Sequence, residues 1–324
     1  MRKLLLATAL NALLATPASA VSIDWVPIGN PGNAGDDPVP TKCFTTDCGS
    51  VPYDYSISRY ETTNAQYAEF LNAADPDGSN SLALYNASMG SDATFGGISF
   101  VSGNAPGSKY VVKPGFADAP VTYVSFYDAL RFANWLNNGQ GSGDTETGAY
   151  TLLGGGDTPT NGLTVMRNAS ADVFLTSENE WYKAAYYSPG GVYFDYPTGT
   201  DSATGCVAPG SDTGNSANCF GAGGVLTNVG AYGQSESPYG TYDQGGNVSE
   251  WNESIVIGTH RGFRGGGWIN SAGDLKAVNP YDAVPAFESN NIGFRVTPEP
   301  GPGLLGMTAL LGLALLRRRT AKAL

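Results

Sequence analysis

The chain has 324 residues and a formal net charge of −12, with 41% hydrophobic and only 14% charged residues. It is long enough for one large core, and its 44 glycines and 20 prolines favour short elements joined by many loops over long helices. Six of the 17 basic residues (Arg2, Lys3, Arg317, Arg318, Arg319 and Lys322) sit near the two ends, which leaves 11 against 29 acidic residues, a net −18, arguing against nucleic acid and for cations or basic surfaces as partners.

In chain order, Met1-Arg2-Lys3 precedes an apolar run from Leu4 to Leu14 and the small residues Pro17-Ala18-Ser19-Ala20. This is the layout of a secretory signal over residues 1–20, with the mature chain beginning near Val21. A Pro/Gly/Asp-rich lead-in to Val51 is expected to hold one strand at Ile23–Ile28, and the alternation from Tyr53 to Tyr60 predicts a second. Three helix starts of one type follow: Thr63-x-x-Gln66, Ser125-x-x-Asp128 and Ser177-x-x-Glu180. In each, a hydroxyl caps the first turn while the acid or amide three residues on reaches back. Tyr67, Phe70, Leu71 and Ala74 then share one helical face, as do Ala129, Phe132, Ala133 and Leu136. Residues 137–168 and 188–229 are polar and rich in Gly, Thr and Ser, which reads as long loops. No linker separates two cores between Val21 and Thr297, so residues 21–297 are expected to form one domain.

Four cysteines remain in the exported part: Cys43, Cys48, Cys206 and Cys219. An even count in an oxidising compartment reads first as disulfides, with Cys43–Cys48 and Cys206–Cys219 the sequence-local choice among three connectivities. Zinc is the weaker reading, because the Cys-x-x-Cys knuckles of structural sites are missing.

At the far end, Pro298-Glu299-Pro300 precedes an apolar stretch from Gly301 to Leu316 and then Arg317-Arg318-Arg319. The stretch is short for a membrane helix, which needs about 20 residues, although a tight span is possible. Its arginines would stay cytoplasmic. These three parts, over 298–324, resemble the PEP-CTERM sorting signal of exopolysaccharide-producing Gram-negative bacteria. The resemblance implies export, transient inner-membrane anchoring and removal of the tail by an exosortase-type enzyme. The destination would be the periplasm, the outer surface or the extracellular matrix.

The stretch from Tyr242 to Arg264 carries the densest chemistry. Asp243 and Glu250 flank Gly246 and Val248, with Trp251 placed to bury as an anchor. Carboxylates alternating with glycine-freed carbonyls suit a hard cation such as calcium. The same residue types also suit a plain glycine-rich turn leading into an edge strand.

Several segments, in order, resemble the formylglycine-generating enzyme family, also called sulfatase-modifying factors. They are Glu61-Thr62-Thr63-Asn64-Ala65-Gln66-Tyr67, Pro120-Val121-Thr122-Tyr123-Val124-Ser125, Phe174-Leu175-Thr176-Ser177-Glu178-Asn179-Glu180-Trp181, Gly245-Gly246-Asn247-Val248-Ser249-Glu250-Trp251, Arg264-Gly265-Gly266-Gly267-Trp268 and Gly293-Phe294-Arg295. The resemblance implies a loop-rich α+β fold related to C-type lectin-like domains, with little regular structure and stiffened by calcium. It implies Asp243 and Glu250 as side-chain calcium ligands, with the carbonyls of Gly246 and Val248 between them. It places Asn218 and the carbonyl of Cys219 in a second calcium site.

The family's oxidases hold copper with two cysteines after the Arg-Gly-Gly-Ser-Trp-like motif. Here those positions fall on Asn270 and Leu275, and no cysteine follows Cys219. A cuprous ion asks for soft thiolates, so copper is not expected. Iron is not expected either, since His260 is the one histidine and the iron-dependent relatives use several. The expectation is therefore a calcium-stabilised, non-catalytic binding or structural module of the cell surface or exopolysaccharide matrix. Its partners would be an exopolysaccharide or a surface protein, met through Trp268, Asn270 and Tyr281. For Trp268 plain packing is an equal reading. The alternative is a metal-dependent oxidase or oxygenase with a different ligand set.

Overall fold

The computed structural model describes residues 20–36, 43–256 and 258–299. The expected signal segment up to Ser19 and the tail beyond Glu299 lie outside the described residues.

All three capping boxes form. Helix α1 (Asn64–Ala74) is capped by Thr63 and Gln66, and Ser125 with Asp128 opens a longer buried helix at Phe126–Asn137. Ser177 with Glu180 opens Glu178–Tyr186. A one-and-a-half-turn helix at Ala87–Ser91 completes the α content among the described residues, so in chain order the four helices are α1, α2 (Ala87–Ser91), α3 (Phe126–Asn137) and α4 (Glu178–Tyr186). The two N-terminal strands are shorter than expected: β1 (Trp25–Ile28) pairs antiparallel with β2 (Tyr55–Ser58). Hairpin β3 (Ile98–Phe100) and β4 (Tyr110–Val112) follows, then β5 (Val173–Leu175). The loop over 188–229 carries β6 (Gly205–Cys206) and β7 (Ser216–Ala217), a short parallel pair. That pair sits beside the Cys206–Cys219 disulfide; Cys43–Cys48 forms the other bridge, so the sequence-local connectivity is the one found.

The central sheet has strand order β10-β9-β8-β11, built from β8 (Ser249–Val256), β9 (His260–Arg264), β10 (Tyr281–Ala283) and β11 (Ile292–Phe294). The glycine-rich turn thus leads into a central strand, with β9 antiparallel on one side and β11 parallel on the other. Register sets Phe294 opposite Trp251. The chain then leaves this sheet at Arg295, and β12 (Val296–Pro298) pairs with β5 in another. The main core lies between α1, α3 and the β8/β11 side of the sheet. There Tyr67, Phe70, Phe132, Trp251 and Phe294 are all buried, with Phe132 and Phe294 ring centroids 5.3 Å apart. Burial of aromatic area on this scale is the main favourable term for a fold with so little regular structure. No helix among the described residues is long and apolar enough to cross a membrane.

Candidate functional site

The turn before β8 is held open by backbone that most side chains avoid. Asp243, Gly246 and Asn247 all have positive φ, and a Cβ on Gly246 would lie 2.6 Å from the carbonyl oxygen of Asn218. Only glycine tolerates that approach. Asn247 stitches the turn to its surroundings: its Nδ2 donates to Glu61 Oε2 at 2.8 Å, and its Oδ1 accepts from Thr227 N and Asn218 Nδ2. Glu61 Oε1 accepts from Val248 N. Glu250 makes a bidentate pair with Arg295 at 2.5 and 2.6 Å and also accepts from Trp181 Nε1 at 2.6 Å. Arg295 spends its remaining donors on the carbonyls of Ser58, Arg59 and Tyr242.

One guanidinium therefore faces three carboxyl groups. Glu61 and Glu250 are buried, and Asp243 is half-buried beside them. Burial, then the charges of Asp243 and Glu250, hold the Glu61 carboxyl well above the usual carboxylate range. Burial pushes Asp243 up to about 6. A surplus of buried negative charge is costly unless protons or a cation offset it.

The donor set suits a hard cation better than a soft one. Asp243 Oδ2 accepts from Gly230 N at 2.6 Å, leaving Oδ1 uncommitted, and Glu250 Oε1 has one donor. Asp243 also borders a cavity of about 10 Å³ beside Thr198, Ser216, Ser235 and Thr241, room for one water or bare ion. Among the described residues no three His, Cys, Asp or Glu side chains converge as a metal site. Calcium here would draw on at most two carboxylates and complete its shell with carbonyls and hydroxyls, as oxygen-loving ions do. The expected second set lies next to the first. Asn218 O accepts from Asn247 N, Asn218 Oδ1 accepts from Gly223 N, and Cys219 O accepts from Ala222 N.

Copper does not fit. Leu275 is fully buried in an apolar cluster with Tyr196, Ala217 and Cys219, and Asn270 closes a turn by accepting from Gly267 N. All four cysteines of the chain are in disulfides. His260, first in β9, pairs with Asp282 at 2.5 Å across the hairpin, half-exposed.

Of the three residues expected to meet a ligand, Trp268 and Asn270 touch one loop, because Gly221 N donates to Trp268 O and Phe220 N donates to Asn270 O. Trp268 stacks on Phe95 at 4.2 Å and donates to Asn290 O; Tyr281 stacks on Phe263 and donates to Asp274. Both rings are thus packed on one face and half-open. Phe220, 76% exposed, is tied to this surface because its N–H donates to Asn270 O; Ile269 is 57% exposed.

A second buried polar cluster lay outside the sequence reading. Arg167 bridges Glu180 and Glu253 at 2.9 and 2.8 Å, and Arg264 pairs with Glu178 at 2.5 Å. Glu178, Glu180 and Arg264 stood in recognisable motifs, but Arg167 and Glu253 gave no local signal.

A loop-rich α+β domain whose glycine turn hangs on a buried arginine–carboxylate centre is the class that fold and site define. The chain belongs to the sulfatase-modifying factor enzyme 1-like domain family, which it matches over residues 45–299. Among solved structures, the crystal structure of CarF is 23% identical and covers 86% of this chain and 98% of its own, with a TM-score of 0.53. Variable protein 1 of Treponema denticola is 19% identical, covers 88% and 98%, and has a TM-score of 0.52. These likenesses concern the fold. No curated protein matches the chain.

Proposed function

We propose that this protein is an exported binding or structural module that keeps the family scaffold, held by calcium at the Asp243–Glu250 turn and lacking the copper chemistry of the family's oxidases. The observation that carries it is the pair Asn270 and Leu275, the second sealed in an apolar cluster, in a chain whose four thiols are all consumed by disulfides. Those disulfides indicate an oxidising, exported setting. The half-open rings of Trp268 and Tyr281, with Asn270 between them in sequence and Phe220 and Ile269 protruding alongside, support contact with a glycan or a surface-protein segment. The terminal segments support a place at the cell surface or in an exopolysaccharide matrix after tail removal.

Calcium is supported by the uncommitted Oδ1 of Asp243 and by the small polar cavity that Asp243 borders. Metal analysis of residues 21–299 is expected to return calcium without stoichiometric copper or iron. Stripping it with chelator should lower Tm: a ligand at about 100 times its Kd stabilises by about 2.7 kcal/mol, roughly 5–10 °C for a domain of this size. A melt indifferent to chelator would remove calcium from the proposal. One equivalent of bound copper together with oxygen uptake on a thiol-bearing peptide would replace the whole reading with an oxidase.

A further inference from the structure

A cavity of about 330 Å³ opens on another part of the molecule, where the start of α4 meets β8 and the segment 165–167. Its volume lies at the low end of the roughly 300–1,000 Å³ typical of small-ligand sites, enough for one side-chain-sized group. The walls are aliphatic: Val165, Met166 and Ile255. Met166 is 73% exposed and Ile255 42% exposed, so among the described residues the apolar lip is left uncovered.

Beneath that lip the lining turns charged, with Arg167, Glu178 and Glu253. Hydrogen-bond capacity decides what such a floor can take. Arg167 gives Nε to Glu253, Nη1 to Glu180, and Nη2 to Glu180, Glu253 and the carbonyl of Leu175. Glu178 is saturated by Arg264, Asn252 and Ser254. Arg261, behind the wall, points its Nη groups at the carbonyls of Glu253, Gly162 and Val165. The guanidiniums are thus turned inward. Glu253 differs: Oε1 takes Tyr150 Oη and Arg167, while Oε2 takes a single donor from Arg167, and the side chain keeps 17% of its exposure. The open valence at the floor is an acceptor on a carboxylate.

We propose that this cavity binds an aliphatic stem ending in a cation, an alkylammonium or the side chain of a lysine or arginine on a basic peptide. The stem packs on Val165, Met166 and Ile255 while the head donates to Glu253 Oε2. Such side chains bury their methylenes and keep their charge at a polar contact. Glu178 and Glu180 are spent on Arg264 and Arg167, so the cavity floor offers an acceptor at Glu253, and the acidic chain as a whole draws cations toward it. This site is separate from the turn at Asp243 and stands or falls apart from the calcium reading.

The test is titration of the purified protein with n-pentylammonium, 1-pentanol and pentanoate, followed by amide NMR shifts. Pentylammonium should bind about tenfold or more tightly than pentanol, the increment of one charge-assisted hydrogen bond, and pentanoate should not bind. A capped lysine tripeptide binding better than free pentylammonium would name a basic peptide as the source, and the reverse order a free amine; either supports the site. Ile255→Lys, at the exposed lip, leaves the core untouched and places an ammonium in the cavity, so it should abolish binding. Equal binding of amine and alcohol, preference for pentanoate, absence of any binding, or full binding to Ile255→Lys would each overturn the assignment.

Discussion

Glu288 shows how one carboxyl sets a pH response. It lies on the loop after β10, where it hydrogen-bonds Asp128 and accepts from Asn86. Asp128 is itself the capping acid of α3, taking Ser125 N and Oγ at 2.8 and 2.7 Å. Arg131, one turn on in α3, and the hydroxyl of Tyr67 from α1 are the other titratable groups facing the pair. Burial, then the Asp128 charge, pushes Glu288 from 4.5 up to about 8. A folded value above the unfolded one means stability is fully present below about 4.5 and is lost as pH rises through 8. Melts in calcium-saturated buffer should therefore fall from pH 5 to pH 8.5. Glu288→Gln keeps a donor toward Asp128 and should flatten that fall, recovering roughly 1 kcal/mol at pH 8.5, about 2–4 °C. Asp128, raised to about 6, and Glu61 titrate in the same direction, so the difference between variant and parent is the quantity that counts. Parallel curves for the two proteins across this range would sink the proton-sharing account.

At the scale of elements, the three helices opened by capping boxes were legible, whereas the short α2 and most of the sheets were not. A capping box is written within four residues: Thr63 Oγ1 accepts from Gln66 N, and Gln66 Oε1 accepts from Thr63 N at 2.9 Å. Thr63→Ala should lower the denaturant midpoint by the equivalent of about 1 kcal/mol, with the m-value unchanged because the packed face of α1 stays the same. A midpoint within error of the parent would mean Gln66, which also donates to Ser22 O, holds the turn alone. Strand partners carry no such local mark. β8 pairs with β11 some forty residues later, and nothing in Ser249–Val256 names Ile292–Phe294 as its neighbour. The site divides in the same way. Gly246 and the buried Trp251 could be read from their own stretch. That Glu250 is held by Arg295 and Trp181 could not, because those residues arrive from other elements. The cavity over Glu253 has no local mark either, because its lining comes from separate stretches of the chain.

Over the whole molecule, distant segments are joined by buried polar ties where a more regular fold would use ladders. Glu61 reaches Asn247, Trp181 reaches Glu250, and Arg264 reaches Glu178, each across at least 69 residues of sequence. Buried charges of this kind destabilise strongly when one partner is removed, so they fix which loops may lie together. The disulfides act on the unfolded chain instead. By loop closure, the bridge spanning 13 residues, Cys206–Cys219, should contribute about 3 kcal/mol, against about 2 for the five-residue span of Cys43–Cys48. The first also anchors the backbone next to Asn218, whose carbonyl meets the turn at Gly246 and Asn247. Replacing Cys206 and Cys219 by serine should therefore lower Tm more than the same change at Cys43 and Cys48, by roughly 2–4 °C. It should also weaken calcium protection, because the neighbouring oxygens are no longer held at the turn. Both effects can be read from melts with and without calcium. If the two serine pairs cost the same and leave the calcium increment alike, the Asn218 loop does not support the cation site, and the ligands must come from the Asp243–Glu250 turn alone.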